Sequence, residues 1–360
     1  MTIHPSAAAA QAFRPRLSVA IPTYNGGRHI AALLASIACQ SVPVDEVVLS
    51  DDGSGDDTLE AARAALAGTP IRLGVVANQA RHGPTGNYVN AIAHCSGDII
   101  FLADQDDVWT VDRCRRYLEH FQDPRVSLVA ANSLIVDENL RPMGASWWRR
   151  DPARWGPRTL STRGRPRHLL RPSVLAHQMA FRSRCRDEVA QIAGEFMIED
   201  WCRWACEMDG HAILDFTPLT LYRQHPQQHT QASRPMATGS TVHRLTVGPQ
   251  SAALLSALEA QRRNVAAACR RFRRHQERPG NGDAADLALK IRFIERLLAY
   301  QQRRIDFYRA LARRRSLPRA LALHGRMLSS DYFPCGNGIR TLLKDSLALG
   351  RACFRPEGSP

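Results

Sequence analysis

Over its first 140 residues the chain alternates short apolar runs with stretches of helical character: LSVAIP (17–22), EVVLS (46–50), IRLGVV (71–76), DIIFLA (98–103) and SLVAAN (127–132). That alternation predicts βαβ units, which bury their apolar faces as a mainly parallel sheet covered by helices. Every run ends in polar residues. In open α/β sheets ligands gather beyond the carboxyl ends of the strands, so chemistry is to be sought there. The residues concerned are Pro22-Thr23-Tyr24-Asn25, Asp51-Asp52-Gly53-Ser54, Asn78 and Asp104-Gln105-Asp106-Asp107.

Beyond the fifth run the pattern changes. Residues 141–172, with three Trp and five Pro, lack periodicity and read as a long loop or flap. Order returns with LAHQMAFR (175–182), a helical segment over 197–210, and HAILDFTPLTLYRQH (211–225) as the last core strand. The remainder predicts two long helices, about 249–276 and 284–315, separated by ERPGNGD (277–283), and a shorter helix near 338–350. Leu287, Ile291, Ile294, Leu298, Ile305, Tyr308 and Leu311 form an apolar stripe on the second of these. The expected organisation is a tail (1–16), an α/β domain (17–235) and a helical region (236–360).

With 360 residues and 44% hydrophobic composition, the chain can bury one large α/β core and carry a smaller second region. No apolar stretch approaches the roughly 18 residues of a spanning helix, and residues 1–16 lack the apolar block of a signal peptide, so a cytoplasmic location is expected. Nine cysteines without a CxxC pair read as reduced, mostly buried thiols. Charge is segregated: residues 1–240 hold 25 Arg against 25 acidic residues and residues 241–360 hold 23 Lys+Arg against 9, so the whole +14 excess is C-terminal. Such a region suits nucleic acid, an anionic membrane surface or solvated helix faces. No finger or RNP-type module accompanies it, and no nucleic-acid partner is expected. Two readings stay open: peripheral contact with the inner face of a membrane, and helices that pack on the α/β domain or on a second subunit and simply expose their arginines.

Asp104, Asp106 and Asp107 lie within four positions at a strand end, where uncompensated carboxylates raise one another's pKa values. A divalent cation resolves that conflict. Magnesium or manganese takes one or two carboxylates and then the oxygens of a diphosphate. The competing reading makes Asp107 a helix N-cap. In the second cluster Asp57 reads as a cap for the helix starting near Thr58, whereas Asp52 is free to accept from a base N–H or a ribose hydroxyl. Glu199 and Asp200 open a helix, where acidic residues also occur simply because the dipole favours them. Arg223 carries a planar fork suited to phosphate. His211, His225 and His229 can all be plain surface residues.

IPTYNGG (21–27), SDDGSGDDT (50–58), ADQDDVW (103–109) and LYRQH (221–225), in this order and spacing, resemble the bacterial family 2 glycosyltransferases of GT-A fold. The likeness covers residues 15–235 and is nearest to rhamnosyltransferase-like members that build surface polysaccharides. It implies an inverting transferase moving a sugar, L-rhamnose in that subgroup, from a dTDP- or UDP-linked donor to a glycan or lipid-linked acceptor. Manganese or magnesium would be the cofactor. By position, Pro22, Thr23, Tyr24 and Asn25 would line the nucleotide pocket, Asp52 would read the base, and Asp104 would face the ribose and the metal. Asp106 would be the main metal ligand and His225 would approach the metal or the diphosphate. Asn87, in RHGPTGNYVNAI (81–92), matches an asparagine near the diphosphate, though Arg81 and His82 are equally placed. The base would be Asp200, with Glu199 as its substitute, since close relatives often carry His or Asp where this chain has Glu199.

Two other classes compete. A non-catalytic scaffold that keeps the fold for binding nucleotide sugars would have lost a metal or base carboxylate, and none is missing. A glycoside hydrolase also uses two carboxylates but has no need of a nucleotide pocket beside an acidic metal cluster.

Overall fold

The computed structural model describes residues 14–79, 82–148, 159–170, 174–192, 195–228, 252–278, 283–312, 317–330, 342–343 and 345–349. The five apolar runs form β1 (Leu17–Thr23), β2 (Glu46–Asp51), β3 (Arg72–Ala77), β4 (Ile99–Leu102) and, further on, β6 (Val126–Val136). Between them lie α1 (Gly27–Ala38), α2 (Thr58–Leu66), α3 (Pro84–His94), the two-residue β5 (Val108–Trp109) and α4 (Arg113–His120). β7 (Pro142–Ser146), β8 (Thr159–Ser161), β9 (Met179–Arg182), the short α5 (Arg186–Ala190), α6 (Ile198–Asp209) and β10 (His211–Arg223) complete the α/β part.

One mixed sheet runs β3-β2-β1-β4-β9-β6-β10-β5, with β7 on β6 and β8 on β10. β3, β2, β1 and β4 are mutually parallel, β9 enters antiparallel between β4 and β6, and β10 lies parallel to β6. Because β1 sits between β2 and β4, the chain leaves it in opposite directions along the sheet, and a crevice opens beyond its carboxyl end.

Alternate strand residues feed two apolar layers. Leu17, Val19 and Ile21 join α1, α2 and α4 on one face, while Ala20, Ile100 and Leu102 join α3 and α6 on the other. The second layer continues into α7 (Ala252–Gln276) and α8 (Ala284–Ala312), whose stripe residues Leu287, Ile291, Ile294, Ile305, Tyr308 and Leu311 are buried in it. Lys290, 1% exposed along its side chain, seals that junction. Its ammonium meets Glu207 Oε2 at 2.6 Å and Asp286 Oδ2 at 2.8 Å, and donates to the carbonyls of Glu207 and Gly210 at the end of α6.

The segment expected to be a flap is partly ordered sheet: β7 stands near its start and β8 in its middle, paired to β6 and β10 as strands too short to show an alternating pattern. Residues 149–158 lie outside the description, as does the boundary near 235. A helix not foreseen, α9 (Leu317–Ser330), follows α8. Pro318 stands at its second position, where a missing N–H costs nothing, so the proline that reads as a stop is compatible with a start. Six of the seven described cysteines are buried free thiols, Cys39 being exposed. Among the described residues no helix is long and apolar enough to cross a membrane.

Candidate active site

The loop after β1 is held by its neighbours. Thr23 Oγ1 donates to Ser50 O and to Asp51 Oδ1, and Asn25 sits at φ 47°, a left-handed conformation that asparagine tolerates. The Asn25 side chain accepts from Gly55 N–H at 2.8 Å, tying the β1 and β2 loops together. Gln105 then bridges from β4: its carboxamide accepts from Tyr24 N–H and donates to Tyr24 O, both at 3.0 Å. A Cβ on Gly26 would collide with that carboxamide, so a larger residue there would have to displace the Gln105 bridge. The Tyr24 ring is 58% exposed over the crevice loop, and Pro22 lies beside Ser50 in the β1–β2 pairing.

Asp51 and Asp52 divide their work. Asp51 accepts from Thr23, Gly53 and Ser54 and so shapes the turn. Asp52 accepts from Asn78 Nδ2 (2.9 Å), the His82 ring (2.7 Å) and Gly83 N–H (2.7 Å). Burial alone would raise its carboxyl, but those three hydrogen bonds prevail and hold it below the usual range, so it stays an acceptor. The cap role assigned to Asp57 falls instead to Asp56, which accepts from Thr58 N–H; Asp57 makes no side-chain cap. Asn87 donates to Thr23 O at 3.0 Å and leaves its buried Oδ1 without a partner.

The acidic cluster after β4 separates into three environments. Asp104 Oδ1 accepts from the Tyr88 hydroxyl at 2.5 Å, and Oδ2 lies 3.0 Å from His177 Nδ1. Burial pulls the Asp104 carboxyl up, yet His177 and Tyr88 bring it below its ordinary value, while burial next to Asp104 keeps the Tyr88 phenol protonated. Asp106 Oδ2 lies 2.8 Å from His225 Nε2. Asp107, fully buried, accepts from Arg223 N–H and leaves Oδ2 without a hydrogen bond; burial together with the charges of Asp106 and Asp104 pushes its carboxyl far up. It precedes a strand and caps no helix, contrary to the competing reading from sequence.

His177, missed from sequence, is the residue that joins this cluster. Its Nδ1 stands 3.0 Å from Asp104 and 3.4 Å from Asp107, and its Nε2 3.0 Å from Ser133 Oγ. Arg113, buried between Trp109 and Tyr117, donates to His177 O and fixes that segment. Asp104, Asp107 and His177 offer ligand atoms all within 4.8 Å of one another. The three carboxylates after β4, with the imidazoles of His177 and His225 beside them, are donors that fit a divalent cation, imidazole favouring manganese over magnesium.

The remaining expected residues are placed unequally. Arg223 spends its side chain on main-chain oxygens, Nε on Asp106 O and Nη1 on Glu138 O, both at 2.7 Å. It therefore buckles the Asp106 loop to the turn after β6. In the first turn of α6, Asp200 is ion-paired with Arg203 at 2.9 Å, whereas Glu199 has a buried Oε2 without a partner. Burial raises the Glu199 carboxyl, and the nearby charges of Asp104 and Asp200 add to the rise. The ring of His29 lies 4.8 Å from that of His225. Arg81 and His229 lie outside the described residues.

Comparison with known proteins bears on the fold and the sequence motifs. Residues 18–185 match the profile of glycosyl transferase family 2. The UDP-Glc:alpha-D-GlcNAc-diphosphoundecaprenol beta-1,3-glucosyltransferase WfgD of Escherichia coli is 25% identical over 34% of this chain and 47% of its own length. The O-antigen chain rhamnosyltransferase RfbN of Salmonella typhimurium is 28% identical over 33% of this chain and 37% of its own. The matched part thus spans less than half the length of these relatives. Staphylococcus aureus TarS residues 1–349, in complex with UDP, superposes with TM-score 0.51 at 16% identity, covering 82% of this chain and 90% of that one, which shows a shared GT-A fold. Residues 18–185, a little under half of the chain, thus resemble glycosyl transferase family 2 in profile and motif order, and the fold is the GT-A fold shared with TarS.

Proposed function

We propose that the chain transfers a sugar from a nucleoside-diphosphate donor to an acceptor hydroxyl with inversion, and that Glu199, ahead of Asp200, takes the acceptor proton. The observation that carries this is the buried Glu199 Oε2 without a hydrogen-bond partner, in a carboxyl whose pKa burial and the charges of Asp104 and Asp200 raise, the direction useful to a general base. A carboxylate that removes the proton as the hydroxyl attacks makes a protein nucleophile unnecessary, and direct displacement inverts the anomeric centre. Pro22, Thr23, Tyr24 and Asn25 form the nucleotide side of the crevice, Tyr24 by offering its exposed ring for stacking. Asp52 receives base or ribose donors, and Asn87 holds the β1 loop in place.

Manganese or magnesium would be held by Asp106 and His225 with Asp104 as a third arm. Asp107 and His177 are fully buried and cannot also meet a diphosphate, so they serve as the supports that orient Asp104. The bound ion would neutralise the charge that develops on the departing diphosphate. The names of WfgD and RfbN favour a lipid-linked or polysaccharide acceptor and a UDP-sugar donor, with rhamnose among the candidate sugars. The test is saturation binding of UDP-, dTDP- and GDP-sugars with and without manganese. Tight, manganese-dependent binding of one donor class is expected; uniform failure across all donors would return the chain to the scaffold reading.

A further inference from the structure

Asp104 is the most open of the three carboxylates after β4, its side chain 34% exposed against 17% for Asp106 and 0% for Asp107. It is also held on both sides. The buried Tyr88 donates its hydroxyl to Oδ1 at 2.5 Å, and the buried His177 ring lies 3.0 Å from Oδ2. A phenol this close to an ionised carboxylate makes a hydrogen bond of the strong, charge-assisted class. A carboxylate oxygen has two acceptor sites, so each oxygen of Asp104 keeps one for a cation arriving from the crevice. One donor would leave the carboxyl free to turn about its Cβ–Cγ bond. Two donors, from α3 and from the segment before β9, fix its plane.

The helix that supplies Tyr88 reaches the rest of the crevice as well. At the entry to α3, Gly83 stands at φ 95°, a conformation open to glycine, and its N–H meets Asp52 Oδ2 at 2.7 Å. One turn on, Asn87 donates to Thr23 O at 3.0 Å, and the next residue is Tyr88. Three hydrogen bonds from one helix therefore set the spacing between the nucleotide-side carboxylate, the loop after β1 and the open carboxylate of the acidic cluster. The Tyr88 ring belongs to the apolar layer that α3 and α6 share, where close packing holds its rotamer.

We infer that Tyr88 is a positioning residue for the cation: its hydroxyl holds Asp104 in the orientation that meets the ion, and α3 ties that orientation to the nucleotide side. This deepens the proposed function and rests on its reading of Asp104 as an arm of the cation site. The test is manganese titration of the full chain, followed by the electron paramagnetic resonance signal of the free ion, alone and with UDP or dTDP, beside thermal unfolding. Tyr88→Phe removes one oxygen and keeps the ring. It should weaken manganese binding about tenfold or more, the usual cost of losing a group that orients a metal ligand. Tyr308→Phe is the matched control. It too takes a tyrosine hydroxyl away from an aspartate, Asp345 at 2.6 Å, and should leave manganese affinity unchanged. Asp104→Asn combined with Tyr88→Phe should lose no more affinity than Asp104→Asn alone, because the hydroxyl acts through that carboxylate. A folded Tyr88→Phe chain of parental manganese affinity would overturn the inference, as would additive losses in the double variant or an equal loss in Tyr308→Phe. A parent that binds no manganese under any of these conditions would instead overturn the cation site itself, and an Asp104→Asn chain of parental affinity would remove Asp104 from it.

Discussion

Arg203 donates to Asp200 Oδ1 at 2.9 Å, whereas Glu199, the residue before it, keeps a buried carboxylate oxygen without a partner. One step along a helix turns the side chain by about 100°, so neighbours in sequence meet different surroundings. Glu199→Gln is expected to cut turnover by about 10²-fold or more at near-parental donor affinity. Asp200→Asn should lower thermal stability through loss of the Arg203 pair and affect turnover less. Steady-state kinetics beside donor titrations check this, and the reverse ranking would move the base to Asp200.

Asp106→Ala should abolish turnover and the manganese-dependent part of donor binding with the fold intact by circular dichroism. Only one carboxylate is removed, and its partner His225 remains as a ligand candidate. Transfer that proceeds undiminished in EDTA would sink the assignment of the metal.

Lys290→Met is expected to destabilise by about 3–5 kcal/mol, because Glu207 and Asp286 would be left buried and uncompensated. Urea unfolding measures the loss. Adding Glu207→Gln and Asp286→Asn should recover part of it, since the orphaned charges then disappear. Equal stabilities for Lys290→Met and the triple variant would mean that packing, and not charge compensation, sets the loss.

Acid unfolding should show the carboxyl of Asp215. Burial alone would raise it, but hydrogen bonds from His120, Thr217 and Arg116 bring it down to about 2. An unfolded-state value near 4 lies above this, so the stabilisation is complete above about pH 4 and is lost as the pH falls toward 2. Asp215→Asn should be less stable than the parent at pH 7 by on the order of 2 kcal/mol, given a folded value of about 2. The gap should close across that acid window. A gap that stays constant with pH would assign it to packing.

Much of the sheet could be read in advance because strand alternation and polar strand ends are properties of contiguous residues. The order of Asp52, Asp104, Asp106 and His225 was legible for the same reason. His177 and Tyr88 were not: each is a single residue in an unremarkable stretch, and only the insertion of β9 between β4 and β6 brings His177 to Asp104. Arg223 was legible as a charge but not as a buckle, because its partners are carbonyls at Asp106 and Glu138 that no side-chain pattern reveals. The helix α9 was hidden by Pro318, whose effect depends on its position within the helix.

The paired amide contacts between Gln105 and Tyr24 have a thermodynamic corollary. With its main chain pinned on both sides, Tyr24 retains only its side-chain torsions. A flat ligand settling on that ring would order those torsions at about 0.5–1.5 kcal/mol. An unpinned loop would instead lose about 1–2 kcal/mol for every residue it froze. Affinity gained at Tyr24 should accordingly vary little with temperature, and changing Gln105 should make the same contact weaker on warming without altering a single atom of the ring.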